Sequence, residues 1–321
     1  MRSIGVVPEV KKVALGEIVE KYYLVLLLVA ILIISSFLHQ AFFTEQNIMN
    51  VLASNATTAI VALGMFMVIL TGGIDLSVGS IMALSCCILA DFLQRGFPWW
   101  FAVIFSVVTV GVFGLASGSM VAYAKVPPFM ATLAMMTIVR GIAYIYQVGS
   151  PRLITSKPVL FIGAGKLGLV PMPVVILIAL FLFCLYLLNY SSFGRKLYAI
   201  GGNSLASSLS GINVNRCLVI VYLINSLIAG LAGVVLGSRL MMGAAIFGRG
   251  YELDAIASVV IGGVSLSGGS GVVINVVLGA FVFGFLANIL NLLGMSSYMQ
   301  MVIRGAVIIV AVLISSVFTK E

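Results

Sequence analysis

One feature limits this chain more than any other: apolar stretches, each about as long as the 17–25 helical residues that cross a bilayer, recur from near residue 22 to near residue 318. In lipid a backbone must satisfy its own polar groups, and uniformly apolar runs of this length do so as helices. The chain is therefore expected to be an all-α, polytopic membrane protein. Only 8% of its 321 residues are charged, against about 25% in soluble domains, so no large soluble domain fits.

The apolar runs divide into ten spans, near residues 22–38, 51–70, 76–92, 99–122, 129–147, 171–189, 217–238, 253–268, 271–293 and 299–318. Arg2, Lys11, Lys12 and Lys21 precede the first run, which implies a cytoplasmic N-terminal segment over 1–21. That run ends in Phe37-Leu38-His39-Gln40, not in small residues suited to cleavage, so it reads as an uncleaved first span. An even count returns the C-terminus to the cytoplasm, and residues 1–321 form a single transmembrane domain. The span 253–268 is the exposed flank of this reading. Glu252, Asp254, Gly262 and Gly263 interrupt it, so a short re-entrant helix is an open alternative and the count stands at 8–10.

The net charge of +8 is scattered instead of gathered on one basic, aromatic face, which argues against nucleic acid as a partner. Cys86, Cys87, Cys184 and Cys217 sit in or beside apolar runs and read as small buried hydrophobes. No metal cluster, nucleophile–base pair or carboxylate dyad stands out, which argues against an intramembrane enzyme. "GAGKLG" (163–168) fits G-x-G-x-x-G, yet no strand precedes it and Leu160 and Leu167 stand where a Walker A needs Gly and Ser or Thr.

"TGGIDLSVGS" (71–80) places Asp75 and Ser77 directly after an apolar run. It aligns with "IGGVSLSGGS" (261–270), which contains Ser267, at an offset of 190, with six of ten positions identical. Glycine pairs weaken a helix, so both segments are expected to break one. Freed backbone groups cannot face lipid and must lie against protein or a water-filled cavity, which in transporters often marks the pathway. Two roles stay open for Asp75: an N-cap for the following helix, or a group lining the route of a polar solute.

Arg140 and Arg304 fall inside spans. Each is expected either to have a carboxylate or carbonyl partner, for which Asp75, Glu252 and Asp254 are the natural candidates, or to snorkel toward an interface, and a structural ion pair is a plainer reading than a substrate contact. Asn288 and Asn291 share a helix face at i, i+3, and Asn225 and Asn275 add amides in other spans; they suit either hydroxyl contacts or interhelical hydrogen bonds. Gly114/Gly118 and Gly233/Gly237 have the small-xxx-small spacing of close helix contacts. In the longest cytoplasmic loop, 190–216, Asn203 suits an N-cap, Leu205 and Leu209 fall on one face at i, i+4, and Gly211 suits a C′ residue. These signals predict a two-turn helix with one apolar edge that can seat in a partner's groove.

"GGIDLSVGSIMALS", "FMATLAMMTIVRGIAYI" (129–145), "FGRKLYAIGGNSLASSLSGINV" (193–214), "GYELDAIASVVIGGVSLSGG" (250–269) and "NLLGMSSYMQMVIRGAVIIVAV" (291–312) occur in that order. Together they resemble the membrane permease subunits of bacterial ABC importers for ribose, arabinose, galactose and similar sugars. The resemblance implies an inner-membrane protein that translocates a neutral monosaccharide, a ribose-like pentose or a hexose, inward. It implies three partners: a second permease copy or a paralogous permease, an ATPase subunit with two nucleotide-binding domains, and an extracytoplasmic sugar-binding protein. ATP and Mg would be bound by that ATPase, and this chain would carry no cofactor. Pathway or gate candidates are then Asp75, Ser77, Glu252, Asp254, Ser267, Asn288 and Asn291. Asn203, Leu205, Leu209, Ser210, Gly211 and Asn213 would form the loop that couples to the ATPase. Many members of that family carry an acidic or otherwise polar residue near position 204 and often a basic one at 208, where this chain has Ser204 and Ser208, so a salt-bridged docking surface is not expected. The alternative is an ion-coupled secondary sugar transporter that works through Asp75 or Asp254.

Overall fold

The computed structural model describes residues 15–318; Arg2, Lys11 and Lys12, and with them most of the expected N-terminal segment, lie outside the described residues. In chain order the helices are α1 (Leu15–Leu38), α2 (Glu45–Leu70), α3 (Val78–Gln94), α4 (Trp99–Ala122), α5 (Pro128–Gln147), α6 (Lys157–Ala164), α7 (Met172–Asn189), α8 (Ser192–Gly202), α9 (Ser204–Leu209), α10 (Val214–Arg239), α11 (Tyr251–Ile261), α12 (Val273–Leu292) and α13 (Ser297–Phe318). Four two-residue strands accompany them: β1 (Arg152–Leu153), β2 (Lys166–Leu167), β3 (Val170–Pro171) and β4 (Met242–Gly243). α2, α4, α5, α7, α10 and α12 are long and apolar enough to cross a membrane.

Helix ends follow local chemistry. α2 starts at Glu45, ahead of the expected 51, because Thr44 caps it: Thr44 Oγ1 accepts the Asn47 amide at 3.4 Å, and Glu45 sits at the positive end of the helix dipole. α4 and α5 begin directly after Pro98 and Pro127. The loop over 190–216 holds two helices where one was expected, since Ser191 Oγ accepts the Gly194 amide at 3.1 Å and starts α8.

Two helices are the pillars of the core. In α2, 78% of the apolar window is buried, and in α10, 61%, whereas α7 buries 22% and lies at the periphery. The small-residue pairs seat the neighbours of α10. A Cβ on Gly118 would come within 2.8 Å of Val219 Cα, and one on Gly237 within 2.9 Å of Cys86 Cβ, so α4 and α3 pack against α10 almost backbone to backbone.

The expected span 253–268 is not continuous. α11 has 11 residues, about 16 Å of helix at 1.5 Å per residue, roughly half of a bilayer core. What precedes it is the two-residue strand β4 and a run of turns over residues 245–250. Gly243 lies against Cys86 and Ala90, and Gly248 against Gly79, so residues 243–248 run back along α3 from its C-terminal toward its N-terminal turn. β1 pairs antiparallel with β4 at the start of this return. The expected interruption is present as a short helix preceded by a strand and turns, and hydropathy alone could not separate that arrangement from a full span.

Candidate functional site

The two glycine-rich breaks end their helices in the same way. After α2, the Gly72 amide donates to the Ile69 carbonyl at 2.8 Å and Gly73 to Val68 at 3.2 Å; after α11, Gly263 donates to Val260 at 2.9 Å and Val264 to Val259 at 3.2 Å. Each is a Schellman closure, and each needs a left-handed C′ residue, filled by Gly72 (φ 76°) and Gly263 (φ 74°). The helix ends therefore correspond at an offset of 191, one residue beyond the best sequence alignment.

Asp75 is fully buried. Its Oδ1 accepts the Ser77 amide at 2.9 Å and the Ser77 hydroxyl at 2.6 Å, and its Oδ2 accepts Asn225 Nδ2 at 2.8 Å. The carboxylate closes a turn one residue short of α3 instead of capping its first amides. Ser265, its partner at offset 190, makes the weaker neutral version: Ser265 Oγ accepts the Ser267 amide at 3.3 Å. Beside this turn a cavity of about 220 Å³ is lined by Thr71, Gly73, Lys125, Ser204 and Tyr222, among others. The Tyr222 hydroxyl is buried and has no hydrogen-bond partner among the described residues.

Arg140 has found carbonyls and not a carboxylate. One guanidinium nitrogen donates to the Ala245 carbonyl at 2.6 Å and to the Phe247 carbonyl at 2.7 Å, and the Gln147 side chain accepts the Ala245 amide. A run of turns among apolar helices leaves backbone groups outside any helix or ladder, and α5 supplies partners for them. Arg304 does pair with Asp254, at 3.2 Å, with side chains 36% and 19% exposed. Glu252 accepts the Gly250 amide through Oε1 at 3.2 Å, while its Oε2 is buried without a hydrogen-bond partner among the described residues.

Asn288 bonds Asn47 reciprocally, at 3.1 and 2.9 Å, and so joins α12 to α2. Asn291 is exposed at the end of α12, and Ser267 is exposed in the second break. In the loop after α7, Asn203 Oδ1 accepts the Ala206 amide at 2.9 Å and Gly211 adopts φ 83°. Ser210 Oγ donates to the Ala206 carbonyl at 2.9 Å, and Asn213 Oδ1 accepts the Arg216 amide at 3.0 Å to start α10. Leu205 and Leu209 are 71% and 83% exposed on α9.

Sequence reasoning missed Asp91. Its carboxylate takes Arg152 at 2.7 Å, Arg95 at 2.9 Å and the Tyr146 hydroxyl at 2.5 Å, which ties the end of α3 to α5 and to the loop that carries β1. The Asp91–Arg95 spacing at i, i+4 was the available signal.

Residues 47–312 match the family described as branched-chain amino acid transport system / permease component. The chain is 44% identical over 303 residues to the ribose import permease protein RbsC of Escherichia coli strain K12, covering 93% of this chain and 94% of that one. It is 40% identical over 316 residues to the ribose import permease protein RbsC of Bacillus subtilis strain 168, covering 98% of each. It is 35% identical over 297 residues to the D-allose transport system permease protein AlsC of Escherichia coli strain K12, covering 92% and 91%. No solved structure matches the chain.

Proposed function

The chain belongs to the branched-chain amino acid transport system / permease component family, and from that membership we propose that it is the membrane permease of an ABC importer, carrying a monosaccharide inward across the bacterial inner membrane. The observation that carries this reading is the end-to-end similarity to proteins named for ribose and D-allose transport. The family description speaks of amino acids, but the near relatives' names speak of sugars, and sugar is the substrate class we adopt.

In this reading ATP is hydrolysed by a separate subunit with two nucleotide-binding domains, an extracytoplasmic protein delivers the sugar, and α9 docks on the ATPase through Leu205 and Leu209. The membrane part has ten segments: α1, α2, α3, α4, α5, α7, α10, the half-helix α11, α12 and α13, with both termini cytoplasmic. A charged pair at membrane depth does not face lipid. We therefore assign the partly open Asp254–Arg304 side of α11 and α13, with Glu252, to the path between this chain and a second permease, and Asp75, Ser77 and Asn288 to its scaffold. The carboxylates on which ion coupling would rest are engaged within the chain, Asp75 by Ser77 and Asn225 and Asp254 by Arg304.

The experiment is uptake of labelled pentoses and hexoses into proteoliposomes holding the chain with its ATPase and binding protein. Accumulation of one sugar that requires ATP and both partners is expected; accumulation by the chain alone, driven by an ion gradient, would defeat the importer reading.

A further inference from the structure

We propose that Gly201, at the end of α8, is a positioning residue through which movement of α9 reaches both glycine-rich breaks at once. The inference rests on the importer reading.

Gly201 stands where three backbones meet. A Cβ on it would fall on the Leu70 carbonyl oxygen and the Gly269 amide nitrogen, and 2.9 Å from Gly269 Cα. All three are main-chain atoms, so no rotamer change makes room. Leu70 is the last residue of α2, and its carbonyl accepts the Gly269 amide at 3.0 Å, which joins the first break to the second. Gly268 fits as closely: a Cβ there would be 2.7 Å from Gly72 N and 3.1 Å from Gly201 Cα. One turn earlier in α8, the Tyr198 hydroxyl donates to the Gly271 carbonyl at 2.9 Å, so α8 holds the second break at two points.

Asn203 is the joint between this contact and α9. It is the C-cap of α8 and the N-cap of α9, and no residue separates the two helices except Asn203 itself. Leu205 and Leu209 are exposed on the outer edge of α9, while its inner edge, with Ser207 buried, rests on the start of α10. A displacement imposed on α9 reaches α8 through the single residue Asn203, beside its second contact with α10. From there it meets main chain on main chain, where side-chain repacking cannot absorb it, because close-packed interiors transmit strain.

The structure supplies its own control. A Cβ on Gly202, the next residue of the same helix, meets nothing within 4 Å. Alanine is the better helix former at both positions, so propensity alone gives Gly201→Ala and Gly202→Ala the same sign. The test uses the complete importer in proteoliposomes, with ATP hydrolysis measured with and without the sugar-loaded binding protein, together with uptake. Gly201→Ala is expected to keep basal hydrolysis but lose about tenfold of the stimulated hydrolysis and of uptake, an ordinary size for a coupling free energy. Gly202→Ala should stay within about twofold of the wild type, as an exposed substitution does.

Equal behaviour of the two variants would overturn the proposal. Should the Gly201→Ala chain not assemble, Tyr198→Phe decides: reduced stimulation at unchanged basal hydrolysis supports the junction, and wild-type stimulation refutes it. Wild-type uptake that ignores ATP would instead defeat the importer reading and this inference together.

Discussion

Asp75 explains itself by what surrounds it. Three donors converge on its two oxygens, so the carboxylate saturates a turn that Ser265 closes more weakly in the second break. Removing it by Asp75→Ala leaves the Ser77 amide, the Ser77 hydroxyl and the Asn225 amide without an acceptor, at about 1–3 kcal/mol for each buried group left unpaired. The yield of folded protein should fall accordingly, read by size-exclusion profiles. Asp75→Asn is different: its oxygen can still accept from Ser77, and once the Asn225 amide turns over its own amide can donate to Asn225 Oδ1, which exchanges one unpaired Asn225 atom for the other and adds none. Folded Asp75→Asn should therefore keep ATP-driven uptake within about twofold, a change of under 0.5 kcal/mol, whereas a coupling carboxylate would lose it. Arg140 makes the same point with the opposite charge. Arg140→Met strands the Ala245 and Phe247 carbonyls, at about 1–3 kcal/mol each, and should lower the melting temperature of the purified protein, with Arg140→Lys in between.

The elements divide by whether hydropathy can see them. Trp99–Ala122 coincides with its expected span, and α7 and α12 come close, because a fully apolar run bounded by Pro, Gly or polar residues marks its own ends. α9 was legible for another reason: Asn203 and Gly211 are cap residues whose chemistry acts locally. The return of residues 243–248 was hidden, since "MMGAAIFG" is as apolar as a helix and its hydrogen-bond partners, Arg140 and Gln147, lie about a hundred residues away in the chain. Asp91 was hidden likewise until Arg152 and Tyr146 were brought to it. The exposure of Leu205 and Leu209 turns the legible element into a prediction. Leu205→Asp leaves the fold of this chain untouched but removes an apolar anchor, for which losses of about 2 kcal/mol or more are usual. Uptake should drop by over about tenfold at normal membrane levels. Gly211→Pro should do the same by a different route, since proline cannot adopt φ 83°. Normal uptake by both variants, with expression checked by immunoblot, would remove α9 from the coupling assignment.

Across the whole molecule, charge is either sealed or left open, and the difference assigns roles. Asp75 is sealed in the scaffold, and Arg140 is spent on backbone carbonyls, but the Asp254–Arg304 pair stays partly open, with the Arg304 Nε unpaired among the described residues. An ion pair kept only for stability can be exchanged for apolar residues of similar volume with little loss, whereas breaking it from one side costs about 3–5 kcal/mol when the pair is buried and less for one as open as this. The double variant Asp254→Leu/Arg304→Leu therefore separates the two possibilities that a single substitution confuses. Each single change should lower the melting temperature, and the double change should restore it. If the pair borders the route taken by the sugar, uptake stays depressed in the restored protein, because a hydrated path has gained two apolar side chains where hydroxyls had polar partners. Uptake that recovers together with stability would mean that the pair only holds α13 to α11, and would move the path to another face of the molecule.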